Sequence, residues 1–176
     1  MSKSKWIIGF VSAATLLIGA NASATTLEEL SFGEMVDSAH ACVMGRAVKA
    51  TVFERDGQIY TETRFRVTQT AFGQTNTFIN VITPGGEKKM GGLVGVEVVA
   101  GATRFFDQSS SLLLLTPTET GRRGRYDIVG FNQGQFAVIG DNVTLPVNVG
   151  GVQSVEKAFE MINVERSTSS SNEISE

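Results

Sequence analysis

Residues 59–70 alternate without interruption. Ile59, Thr61, Thr63, Phe65 and Val67 fall on one face of an extended chain, and Tyr60, Glu62, Arg64 and Arg66 on the other. A period of two with one charged side describes a strand that is dry on one face and wet on the other, as in an antiparallel sheet with a solvated surface. Arg55-Asp56-Gly57-Gln58 precedes it, and Asp-Gly is a strong signal for a two-residue hairpin turn. The Val-, Ala- and Thr-rich stretch from Ala41 to Glu54 supplies the other arm, with Gly45 marking a bulge or a close backbone approach. A two-stranded ribbon cannot bury its apolar face alone, so further strands must cover it.

The rest of the chain supplies them. Phe78 to Ile82, Leu93 to Val99, Tyr126 to Gly130, Gln135 to Ile139 and Val143 to Val149 read as short strands between turn signals. Leu112 to Leu115 is a continuous apolar run that suits a strand buried on both sides. Lys88, Lys89, Met90, Gly91 and Gly92 read as a mobile loop, and Phe105 and Phe106 as a plug for one end of the core. Ser31 to Glu34 is a capping box, followed by Phe32, Met35, Val36 and Ala39 on one helical face. Ser154 to Asn163 is an amphipathic helix expected to cover one end of the barrel, and the Ser-rich residues 165–176 are expected to be disordered. The sum is a mainly β domain over 25–164. It is read as a small antiparallel OB-like barrel of six or seven strands, with a β-sandwich as the alternative.

Lys3 and Lys5, the apolar run Trp6 to Ala20 and Ala22-Ser23-Ala24 describe a secretory signal peptide over 1–24, with cleavage after Ala24. The run is shorter than the roughly 20 residues of a membrane-spanning helix, so no membrane anchor is expected after cleavage. Cleavage removes two lysines and no acid. The 15 basic and 18 acidic residues become 13 and 18, and the net charge moves from −3 to −5. The destination is the periplasm or the extracellular space. Nucleic acid is not expected as a partner, because phosphate neutralisation needs excess Lys and Arg.

Several segments together carry a resemblance: the helix and Ala39-x-x-x-x-x-Gly45 within Phe32 to Gly45, Gly57-x-Ile59-Tyr60-Thr61, Pro84-Gly85-Gly86, the Leu112 to Leu115 run, and Tyr126-x-x-Val129-Gly130-x-x-Gln133-Gly134-x-Phe136. In that order, over most of residues 31–140, the chain resembles a family of small secreted bacterial β-barrel proteins of unknown function. The resemblance implies an exported single-domain barrel and supplies no catalytic residues. His40 stands where such relatives are expected to carry an acid.

Reactive groups are few. One cysteine and one histidine exclude a disulfide framework, a multi-cysteine zinc site and any site of two imidazoles. No metal or other cofactor is expected. His40 and Cys42, two apart, would share one face of a strand and form a Cys/His pair. Either that pair or paired carboxylates drawn from Glu54, Asp56, Glu62, Glu87, Glu97, Asp107, Asp127 and Asp141 would serve a hydrolase alternative. A carrier holding a small apolar or glycan ligand is a third reading. Gly85, Gly86, Lys88 and Lys89 lack the helix and Lys-Ser/Thr of a phosphate loop. Arg122, Arg123 and Arg125 form a basic turn, and Arg64 and Arg66 are expected to pair across strands with Glu62. The leading expectation is a non-enzymatic exported protein that binds another envelope or secreted protein, a protease among the candidates. Its contact loops would contain Gly85, Gly86, Lys88, Lys89, Arg122, Arg123, Arg125, Asn132 and Gln133.

Overall fold

The computed structural model describes residues 27–119 and 123–172; the expected signal segment and Arg122 lie outside these. Among the described residues the protein is mainly β, with a large mixed sheet, a separate two-stranded sheet and two α-helices. Helix α1 spans Phe32–Ser38. Its capping box forms as the sequence predicts: the Glu34 amide donates to Ser31 Oγ at 3.3 Å, and the Ser31 amide to the Glu34 carboxylate at 2.7 Å. Phe32, Met35, Val36 and Ala39 are all buried.

Strands β1 (Ala41–Arg55) and β2 (Gln58–Phe72) form the long hairpin. Asp56 and Gly57 take φ values of 53° and 78°, the left-handed pair that a type I′ turn requires. The register shifts between Met44 and Gly45, where a Cβ would lie 3.2 Å from the Arg66 carbonyl oxygen. Gly45 thus marks both a bulge and a close approach.

Eight more strands follow: β3 (Phe78–Pro84), β4 (Gly86–Met90), β5 (Leu93–Glu97), β6 (Ser110–Pro117), β7 (Arg125–Ile128), β8 (Gln135–Ile139), β9 (Asn142–Thr144) and β10 (Val152–Ser154). The large sheet runs β1-β2-β3-β7-β6-β8-β9-β10, and β1 pairs with β6 as well. All its ladders are antiparallel except β3–β7, so the sheet is mixed where a wholly antiparallel one was expected, and the described residues form ten strands in place of six or seven.

Strand β6 explains the four leucines. Leu113 and Leu115 join a cluster with Val43, Phe65, Ile79 and Val81, whereas Leu112 and Leu114 face the opposite way into a cluster with α1. Each is fully buried, so no position in the run can be polar. Phe105 packs edge-on against Phe65 with ring centroids 4.7 Å apart, but Phe106 is exposed and plugs nothing.

Three further expectations change. Residues 88–92 are not a loop: Gly86–Met90 and Leu93–Glu97 pair around Gly91 and Gly92, whose φ values of 54° and 91° again fit a type I′ turn. The last expected strand stops at Thr144, and Val147–Val149 is a short 3-10 turn after Pro146, which has no amide to give a ladder. Helix α2 spans Val155–Asn172, so the Ser-rich segment is helical well past Asn163. The reason is Arg166, one turn beyond Ile162 on the same face. It donates to the Val36 and Ala39 carbonyls at 3.1 and 3.0 Å and lies 4.3 Å above the Phe72 ring. Ala158 and Ile162 pack in the α1 cluster, so α2 lies beside α1.

Candidate functional site

The outer face of the long hairpin carries the densest charge pattern. Arg46 sits directly opposite Arg66, and Lys49 opposite Arg64. All four are exposed, because the intervening Ala47 and Phe65 turn inward. Strand β3 extends the face: Phe78 lies opposite Arg66, and Asn80 opposite Arg64. The Arg64 guanidinium lies 4.3 Å over the Phe78 ring. Lys49, Arg64 and Phe78 line a shallow cleft of about 320 Å³.

The expected pairing of Arg64 and Arg66 with Glu62 does not form. Glu62 contacts Arg125 instead, with Nε and Oε1 2.8 Å apart. The contact is charge against charge, without the alignment of a hydrogen bond. Parallel pairing of β7 with β3 causes this, since it sets Arg125 opposite Asn80, one step diagonally from Glu62. Among the described residues, none of Arg46, Lys49, Arg64 and Arg66 has a carboxylate within 4.0 Å.

A second surface is the hairpin β4–β5. Gly85 and Gly86 form its base. A Cβ on Gly85 would lie 2.7 Å from the Glu97 carbonyl oxygen, and one on Gly86 2.6 Å from Thr61 Oγ1. Their role is close packing against β2, reinforced where the Gly85 amide donates to the Ile59 carbonyl at 2.7 Å and the Ile59 amide to the Glu97 carboxylate at 2.6 Å. Lys88 is tied to Glu54 at 2.7 Å, whereas Lys89 is exposed. Leu93, Val94 and Val96 are exposed by 76%, 56% and 53%, and among the described residues β5 pairs with β4 alone.

The remaining expected site residues are scattered. Gln133 holds the segment before α1: its Oε1 accepts from the Leu30 amide and its Nε2 donates to the Glu28 carbonyl, both at 2.8 Å. Asn132 sits in the same turn, its amide donating to the Gly130 carbonyl at 2.8 Å. Arg123 is exposed and lines a cleft of about 470 Å³ with His40, Asn76 and Gly124.

His40 and Cys42 do not share a face. His40 precedes β1 and is exposed, while Cys42 is fully buried in the α1 cluster. Burial pushes the Cys42 thiol up to about 12, so it stays protonated at neutral pH and is not a nucleophile there. Of the carboxylates, Asp127 is half-buried in a cleft with Arg55, Tyr60 and Glu119. Desolvation raises its pKa, Arg55 opposes that shift and Glu119 adds to it. Among the described residues no three His, Cys, Asp or Glu side chains gather as metal ligands, and no helix is long and apolar enough to cross a membrane.

Sequence reasoning missed Arg46, Lys49 and Phe78. The signal was weak because the register shift between Ala47 and Lys49 inserts Val48 and changes the phase of the alternation in β1. Searches of protein-family models, curated proteins and solved structures return no match to this chain.

Proposed function

We propose that this protein is an exported, non-catalytic binding protein on an OB-like five-stranded barrel, and that it captures another envelope or secreted protein by strand addition to β5. The barrel reading is supported by the pairings β1-β2-β3-β7-β6 together with β1–β6, which return to their starting strand. It is also supported by the cluster that alternate residues of those strands build on one side, including Val43, Phe65, Val81, Leu113 and Tyr126. Such a ring removes edges, and edges are where unwanted pairing begins. The basic start and short apolar run of residues 3–20 support export.

One observation carries the binding reading: β5 is an unblunted edge. Its sequence Leu-Val-Gly-Val-Glu offers no charge before Glu97 and no proline, and its apolar side chains are exposed. Met90 and Leu93 close a two-residue turn, so alternate residues Val94 and Val96 direct their amides and carbonyls away from β4. An extended segment of a partner finds there both a hydrogen-bonding row and exposed apolar side chains. The test is Val94→Pro, which removes an outward amide without breaking a rung of the hairpin. Tagged mature protein should enrich a defined partner from the native envelope fraction, and Val94→Pro should lose it while keeping the same circular dichroism. Equal recovery by both proteins would refute strand addition.

A further inference from the structure

Two successive cross-strand pairs on the β1–β2 hairpin bring like charges together: Arg46 with Arg66, and Lys49 with Arg64. Directly opposed residues stand about 5 Å apart at Cβ, and like charges there weaken a sheet. The chain carries more acids than bases, 18 against 15, yet among the described residues no carboxylate lies within 4.0 Å of any of these four cations. The arrangement is also partly pre-organised, since the Arg64 guanidinium is stacked on the ring of Phe78, a residue that is 41% exposed.

We propose that this ladder of cations binds an extended acidic segment of a partner protein, one carboxylate to each opposed pair. The proposal depends on the binding reading above only for the class of ligand, and the site lies in a different sheet from β5. Charge complementarity selects an anion, and spacing selects its form. Arg64 and Arg66 are two residues apart on one strand, which sets the pairs roughly 7 Å apart. Carboxylates on alternate residues of an extended peptide repeat at the same interval. Each could accept from the two cations of one pair, and a guanidinium offers a fork that fits a carboxylate. Glu62 borders the same cleft, but its charge is engaged by Arg125, which leaves the basic end of the face to the ligand.

The test is a titration of the mature protein with a labelled synthetic peptide alternating Glu and Thr, read by fluorescence anisotropy. Controls are the Gln-Thr peptide and a single-stranded oligothymidylate of matched charge. The Glu-Thr peptide should bind, weaken as salt rises, lose at least about tenfold in affinity to Lys49→Gln or Arg64→Gln, and bind undiminished to Val94→Pro. Lys49→Glu should abolish binding and raise the melting temperature by about 2 °C, because it converts a like-charge pair into an attractive one. No difference between the Glu and Gln peptides would overturn the proposal. Tighter binding of the oligothymidylate would reassign the face to nucleic acid. Loss of peptide binding in Val94→Pro would move the contact to β5, and a lower melting temperature for Lys49→Glu would make the cations structural.

Discussion

The two hairpins of this protein have the same turn geometry and opposite fates. Both β1–β2 and β4–β5 reverse through two residues with positive φ, Asp56-Gly57 in one and Gly91-Gly92 in the other. The first buries Val43, Ala47, Thr63 and Phe65 along its middle and exposes Arg46, Lys49, Arg64 and Arg66 on the opposite side. The second leaves Leu93, Val94 and Val96 in water. A turn therefore sets local pairing and says nothing about burial. Burial depends on whether other strands cover the ribbon, and only β1–β2 has neighbours on both sides, β6 and β3. The covered hairpin supplies stability, and the uncovered one supplies surface.

The largest contrast is expected in thiol chemistry. Cys42, at the start of β1, should react with iodoacetamide at least about 1,000-fold more slowly than a cysteine placed by Val94→Cys in a Cys42→Ala background, as timed by mass spectrometry. The burial that protects it also has a pH signature. Burial pushes the folded thiol up to about 12 from its ordinary 9.0, so its contribution to stability should be constant below about pH 9 and decline as pH rises toward 12. Similar labelling rates at the two positions would show that β1 opens as readily as β5.

Deletion of buried surface comes next. Phe65→Ala should cost about 3–5 kcal/mol in urea denaturation, because it empties a fully buried site and removes the edge contact with Phe105. Val96→Thr on β5 should cost less than about 0.5 kcal/mol. Comparable losses would mean that β5 is covered in solution.

Glycine substitutions sharpen the contrast within β4–β5 itself. Gly91→Ala meets open space and should cost only the left-handed backbone penalty, roughly 1–2 kcal/mol. Gly85→Ala adds a clash with the Glu97 carbonyl oxygen and should cost clearly more, as read by the shift in urea midpoint. The smallest expected effect is Asp127→Asn. Desolvation raises the folded pKa of Asp127, so its charge opposes folding at neutral pH. The substitution should stabilise slightly at pH 7 in urea denaturation and lose that advantage as pH falls through the raised folded value toward the ordinary aspartate value, below which none remains.

Much of this architecture was legible because local chemistry and burial agree in it. The capping box of Ser31 and Glu34, the Asp56-Gly57 turn, the alternation of β2 and the doubly buried Leu112–Leu115 run each carry their own explanation in neighbouring residues. The partners of those elements were not legible. Glu62 was expected to pair along its own hairpin, and the parallel β3–β7 contact gave it Arg125. The extent of α2 depended on Arg166 reaching carbonyls of α1 that lie far away in the chain, at Val36 and Ala39. The cation ladder depended on a bulge that shifts Lys49 opposite Arg64.

The sequence by itself therefore determined the β class, the Asp56-Gly57 turn, the helix starts and the scarcity of reactive groups, since each follows from side chains within a few residues of one another. Only the tertiary structure decided which charges stand unpaired and which edge stays open. Those depend on register and on strand neighbours, and residues far apart in the chain fix both through the surface they bury together.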